Sequence, residues 1–412
     1  MIPISFIIIL VCIYFFAVSK IKENRYIALG ILVITSIILT VHIIELFNQG
    51  VSLVGSDSEY YVGQAKLIKN NLINGRYLYE NIYFVRKSYY IFTTILSLGY
   101  IFSNNDFIAV IYNQIVYILI INIFMVYVIR QVKFNRYTSI TISIIAIACT
   151  YSALIYSRDI YIIILISILL IQTKKLFNNK KNFIQMIKII ILCILLEYFR
   201  ENFGIMYILC LIIIYCVNKF NFGKLNLFII TAVLFMYILF FPIIFKEYIF
   251  ENSYGMNGGS IIATIQTFII ALFANNPFKN LMYWIMKFDT VSWITTNMQY
   301  FNQIAISWII VFVNYKYILE KVITRKKFHI VEKISILYAI LIYLTYSMSY
   351  NVQQRIQIST MIPMAIIFTI YKNENKYKEN ENNIGKLSEY QVDIILIMYC
   401  IVDFIVKVIP KV

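Results

Sequence analysis

Apolar runs of about the length that crosses a bilayer, roughly 20 residues, recur from one end of the chain to the other. Ile, Leu, Phe and Tyr dominate residues 2–18, 26–47, 106–129, 137–156, 158–172, 186–200, 203–217, 226–245, 303–319, 333–350, 356–371 and 390–408. Charged residues concentrate in the intervals between them. The pattern predicts an all-α, polytopic transmembrane protein of about twelve spans, residues 1–412 forming a single integral membrane domain. Two more apolar segments, 88–102 and 261–274, are short for a crossing and are expected to lie along the membrane interface. The first run, MIPISFIIILVCIYFFAVSK, has no basic n-region and no small-residue cleavage pattern. It reads as a retained first span rather than a removed signal peptide.

The loop charges orient these spans. Basic clusters stand at Lys20, Lys22 and Arg25, at Arg130, Lys133 and Arg136, and at Lys174, Lys175, Lys180 and Lys181. Others follow at Lys219 and Lys224, at Lys321, Arg325, Lys326 and Lys327, and at Lys372, Lys376 and Lys378. If 88–102 and 261–274 do not cross, every cluster falls on one side, and the bias of Lys and Arg toward short cytoplasmic loops makes that side cytoplasmic. Both chain ends are then external. Residues 48–105 become a first external loop with interfacial helices, and 246–302 a second large external segment. Short outer turns fall at 156–159, 200–202 and 351–355, and 372–388 form a cytoplasmic linker to the last span.

Composition agrees with this class and removes others. The 412 residues are 61% hydrophobic and 14% charged, where a soluble domain carries about a quarter charged residues. The net charge of +16 is accounted for by the cytoplasmic loops, so no nucleic-acid partner is expected. Six cysteines all lie in apolar runs without CxxC spacing, which indicates neither a disulfide framework nor a zinc site. His42 and His329, the two histidines, are far apart, which argues against a histidine metal site or a Ser-His-Asp triad. His42 and Glu45 share a helix face and read as a local polar pair. The wealth of Ile, Asn, Lys and Tyr suggests AT-rich bacterial coding and a bacterial cytoplasmic membrane.

Against this background the outer charges stand out. GSDSEYYVGQAKLIKNNLINGRYLY, 55–79, places Asp57 and Glu59 just after an apolar run, with Tyr60 and Tyr61 behind them. The acids can cap a helix that starts near Tyr60, or act as a general base and an anchor for an acceptor hydroxyl or a metal. Arg158 and Asp159 open a span directly from an outer turn. They are either an interfacial pair marking the helix start or a phosphate-binding arginine beside a second carboxylate. Glu197, Arg200 and Glu201 mark a tight outer turn, in which Glu197 and Arg200 are spaced to pair. Arg355 stands between two spans beside Gln353 and Gln354. The planar fork of arginine suits bidentate phosphate contact. ENSYGMNGGS, 251–260, reads as a mobile loop over a site. Trp284 and Trp293 suit an interfacial position.

The ordered series resembles the membrane-embedded C-type glycosyltransferases, especially the bacterial relatives of protein O-mannosyltransferases and lipid A aminoarabinose transferases. In that family an acidic motif opens the first external loop, followed by Tyr-Tyr, a short helix ending in Gly and a Tyr-containing turn, as in 55–79 here. VRKSYYIFTTILSLGYIF stands where the family has a Pro-Pro-x-Tyr interfacial helix, with Lys87 and Ser88 in place of the prolines. Asp159 matches an Asp that opens a later span, and Arg355 with Pro363 matches an Arg and a Pro entering a late span. The likeness covers about residues 26–220 and 333–371.

The resemblance implies transfer of a sugar from a polyprenyl-phosphate donor to a glycan, lipid or protein acceptor at the outer membrane face. It implies Asp57 as base, Glu59 as its orienting partner and Asp159 as a second carboxylate. Arg158, Arg200 and Arg355 would bind the donor phosphate, and Tyr60 and Tyr61 would line the sugar pocket. Paired acids are also able to hold a divalent cation through oxygen ligands, and the sequence assigns no metal. Two other classes fit a polytopic chain with outer arginines. One is a surface-polysaccharide repeat-unit polymerase, expected to concentrate its arginines in large later loops. The other is a lipid-linked glycan transporter or flippase, expected to have repeats or Gly/Pro-broken helices.

Overall fold

The computed structural model describes residues 2–21, 24–49, 56–80, 89–132, 135–156, 158–178, 183–220, 268–269, 276–286, 299–348, 354–376 and 383–408. Among them all regular structure is helical. The first half comprises α1 (Ile2–Ser19), α2 (Arg25–Gln49), α3 (Ser56–Ile73), α4 (Tyr90–Phe102), α5 (Asp106–Ile129), α6 (Arg136–Tyr156), α7 (Arg158–Asn178), α8 (Phe183–Phe199) and α9 (Phe203–Phe220). After these come α10 (Pro277–Met286), α11 (Gln299–Trp308) and α12 (Lys316–Ile323), then α13 (Ile330–Met348), α14 (Gln354–Lys376) and α15 (Asn383–Val408). Each expected span that lies in the described residues is helical. The expected span 226–245 and nearly all of 261–274 lie outside them.

By length and apolar content, four helical stretches suit a membrane crossing: Arg25–Ile44, Asp106–Ile129, Arg136–Leu154 and Arg158–Asn178. The surface is of the kind a hydrocarbon solvent accepts. Ile8 and Phe16 on α1, Ile37 on α2, Ile190 and Ile194 on α8, and Ile394 and Met398 on α15 all face outward. Inside, some polar groups pair across helices. Asn122 Nδ2 donates to Thr35 Oγ1 at 2.9 Å between α5 and α2, because a polar side chain within a bundle needs an internal partner. An apolar exterior around internally paired polar groups is stable in lipid and unstable in water.

The basic clusters meet at one end of the bundle. An Arg130 guanidinium N–H donates to Ala17 O at 2.7 Å, tying the ends of α5 and α1. Lys333 Nζ donates to Asn218 Oδ1 at 2.9 Å, joining the start of α13 to the end of α9. Lys174 pairs with Glu374, so α7 and α14 finish together. Lys372 pairs with Glu320 at 2.9 Å and lies over the Tyr137 ring, and Lys316 reaches Asp393 at 2.6 Å. Glu332 is fully buried yet accepts from Tyr317 Oη, Lys321 Nζ and His329 N, which is what a buried carboxylate requires. Within the expected linker 372–388, α14 continues to Lys376 and α15 begins at Asn383.

Two local features shape how the helices meet. Residues Ile309–Tyr315 form a π-helical segment joining α11 to α12. There the fully buried Asn314 donates to Met361 O on α14 at 2.9 Å, near Pro363, which lacks an N–H of its own. The other is α4. At 13 residues it is about 20 Å long, shorter than the roughly 30 Å hydrocarbon core, and it packs against α3. Lys66 pairs with Asp106 at 2.8 Å and lies over the Tyr100 ring at 5.4 Å. Burial, and secondarily the Asp106 carboxylate, push the Tyr100 phenol above its ordinary range. Asn105 caps α5 by accepting from Phe107 N at 2.9 Å.

Candidate functional site

The opposite end of the bundle holds Arg158, Asp159 and Arg200. It is built around the start of α7. Arg158 and Asp159 are the first residues of that helix, where the dipole favours a carboxylate. Both are buried, 8% and 4% exposed, despite their charge. The Arg158 guanidinium lies over the Tyr89 ring at 5.0 Å and the Tyr61 ring at 5.9 Å. Tyr60, Tyr61 and Tyr89 meet edge to face, with centroids 5.2–5.9 Å apart. A desolvated guanidinium over such rings gains about 2 kcal/mol. Among the described residues no carboxylate pairs with Arg158.

The aromatic contacts continue under the site. Tyr61 meets Phe92 at 5.1 Å, Phe92 meets Tyr161 at 6.5 Å, and Tyr161 stacks on Phe199 at 5.0 Å. Phe199 ends α8, and Arg200 follows it. Arg200 Nε donates to Tyr346 Oη at 2.7 Å, and an Arg200 terminal nitrogen stands 3.8 Å from Asp159 Oδ1. That separation is an ion pair without a hydrogen bond. Buried Arg158 and Asp159 and half-buried Arg200 thus place two guanidinium groups and one carboxylate at this end of the bundle. Guanidinium groups suit bidentate contact with phosphate oxygens.

The α8–α9 turn that presents Arg200 differs from the expected Glu197–Arg200 pair. Glu197 instead accepts from Asn202 N at 2.5 Å and Gly204 N at 3.0 Å, capping the start of α9. Its carboxylate satisfies N–H groups that no earlier helical turn serves. Asn202 adopts φ 70°, a left-handed conformation that Asn tolerates. Gly204 is needed for close approach, since a Cβ there would collide with Cys193 O. Gly204→Ala is expected to lower stability by about 1–3 kcal/mol and to displace Arg200; thermal unfolding of the purified variant checks this.

The other sequence candidates are placed by their backbones. α3 begins at Ser56, so Asp57 and Glu59 fall inside its first turn rather than before a helix starting near Tyr60. Asp57 precedes Tyr61 by four residues and therefore stands on the same face, one turn toward the helix start. Arg355 is the second residue of α14. Because Lys174 meets Glu374, α7 and α14 run parallel. Counting back the same number of residues sets Arg158 level with Ile358, and Arg355 is roughly 4.5 Å beyond. The side chains of Asp57, Glu59 and Arg355 lie outside the described structure.

Tyr89 and Tyr346 were not singled out from sequence. Nothing distinguished them among 35 tyrosines except nearness to Lys87 and to the turn before Arg355. Asn276 is fully buried, accepts from Phe278 N at the start of α10, and donates to Asp403 Oδ2 on α15 at 2.9 Å. Among the described residues no three His, Cys, Asp or Glu side chains gather as a metal site. No family model, no curated protein and no solved structure matches the chain.

Proposed function

We propose that this protein is a membrane-embedded glycosyltransferase of the C type, moving a sugar from a polyprenyl-phosphate donor to an acceptor at the outer face of a bacterial cytoplasmic membrane. About twelve spans would carry the site, with α3 and α4 along the interface and the basic end in the cytoplasm. The observation that supports this reading most is the grouping of Arg158, Asp159 and Arg200, with the buried Arg158 guanidinium over the Tyr61 and Tyr89 rings. It stands at the end opposite the lysine-rich one.

On this reading the residues divide the chemistry among them. The donor's isoprenoid tail stays in lipid, and its phosphate meets Arg158, Arg200 and Arg355. Asp57 takes the proton of the acceptor hydroxyl as that oxygen bonds to the anomeric carbon. The bond from this carbon to the phosphate oxygen breaks, and polyprenyl phosphate leaves with the electron pair. The arginines stabilise the charge that grows on it. Glu59 orients the base, Tyr60 and Tyr61 border the sugar, and Asp159 holds Arg200 in the pocket.

The test is purified full-length protein with a panel of polyprenyl-monophosphate sugars and mass spectrometry of the released lipid phosphate. At least one sugar donor should be consumed. Consumption of diphosphate-linked oligosaccharides alone would favour a repeat-unit polymerase, and consumption of neither would overturn the enzymatic reading.

A further inference from the structure

The proposed phosphate site depends on Arg200, which stands at the tip of a helical hairpin where a long side chain has many rotamers. On the functional reading above, we infer that Tyr346 is a positioning residue that sets the direction of the Arg200 guanidinium and thereby the affinity for a lipid phosphomonoester.

Tyr346 lies in the last turn of α13 and is 6% exposed. Its hydroxyl accepts from Arg200 Nε at 2.7 Å, and its ring lies under the guanidinium at 5.2 Å. The Phe203 ring stands 5.8 Å from the same guanidinium. Tyr346 is itself seated by the edge-to-face contact with Phe203 at 6.2 Å. Tyr338 fixes that ring in turn, 6.3 Å away, with its hydroxyl donating to Phe203 O.

A bond at Nε does what a bond at a terminal nitrogen does not. It fixes both the plane of the guanidinium and its rotation about the stem, so the terminal N–H groups point in one direction. Here one terminal nitrogen is held 3.8 Å from Asp159, near enough for attraction and too far for a hydrogen bond. An arriving phosphate meets a donor edge already oriented, and little further ordering is needed on binding. Lysine at 200 would keep the charge and lose this orientation.

The experiment measures equilibrium binding of decaprenyl phosphate to full-length protein in detergent, for wild type, Tyr346→Phe, Arg200→Lys and the double variant. Tyr346→Phe keeps the ring and is expected to weaken binding about tenfold. In the Arg200→Lys background the same change should do nothing more, since no Nε–H remains to be held. Thermal unfolding without ligand separates this from misfolding. Should the Phe variant fail to fold, Tyr346→Gln retains a side-chain acceptor and is expected to bind more tightly than Tyr346→Leu. Unchanged binding in Tyr346→Phe, equal binding by the Gln and Leu variants, or losses that simply add in the double variant would overturn the inference alone. Failure of wild type to bind decaprenyl phosphate would overturn the functional reading and this inference with it. Inorganic phosphate is the comparison ligand. Displacement of the lipid at equal concentration would assign the site to free phosphate and sink the lipid specificity.

Discussion

Arg200→Ala is expected to reduce donor turnover by about 10²–10³-fold, the loss typical of removing one donor to a developing oxyanion. The same change leaves Asp159, with 6% of its side chain exposed, without its described counter-charge. Breaking a buried pair from one side costs about 3–5 kcal/mol. The 3.8 Å separation puts this pair toward the lower figure. Stability and turnover therefore fall together, and the Arg200→Lys variant separates them. Lysine retains a cation near Asp159, so thermal stability should largely return. Turnover should recover only in part, because the planar fork and the bond to Tyr346 are missing. Equal recovery of both would mean that Arg200 serves the fold alone.

The second large effect is expected at Asp57. Asp57→Asn preserves shape and removes the proton acceptor, and general-base catalysis contributes about 10²–10⁴-fold. Turnover should fall within that range while binding of decaprenyl phosphate stays intact, since the arginines remain. Thermal stability should change little, because Asn suits the start of a helix nearly as well as Asp. Near-normal turnover would remove Asp57 as the base and leave Glu59 or Asp159 to be tested the same way. Loss of phosphate binding instead would make Asp57 an organiser of the site.

Much of the helical architecture was legible because long Ile- and Leu-rich runs allow little but helix in an apolar solvent. The gathering of basic clusters was legible as well: a single rule about Lys and Arg placed Arg130, Lys174 and Lys372 at one end, where the structure has them. The details of partnership were not. Spacing suggested Glu197 with Arg200, yet the backbone N–H groups of the following turn compete for the same carboxylate and win. The π-helical segment had no signal in the apolar pattern, since one extra residue per turn leaves a uniformly apolar run unchanged.

The candidate site was legible in part for the same reason. Charges that interrupt apolar runs are conspicuous, and so Arg158, Asp159 and Arg200 could be named from sequence. Tyrosines are not conspicuous here. Tyr89 and Tyr346 owe their importance to helices that meet only in three dimensions, the start of α4 with α7 and the end of α13 with α8. Within 372–388, Lys372 and Glu374 pair with residues on α12 and α7, partners that spacing along the chain does not indicate.

The central claim is that the outer charges form one mouth that receives a lipid phosphate. Photolabelling of the full-length protein with a diazirine-bearing decaprenyl phosphate, followed by peptide mapping, tests it most directly. Labels competed by unmodified decaprenyl phosphate are predicted on segments 56–61, 158–161, 199–204 and 343–358. Competed labels confined to the lysine-rich end, around Lys174, Lys321 and Lys372, would contradict the account.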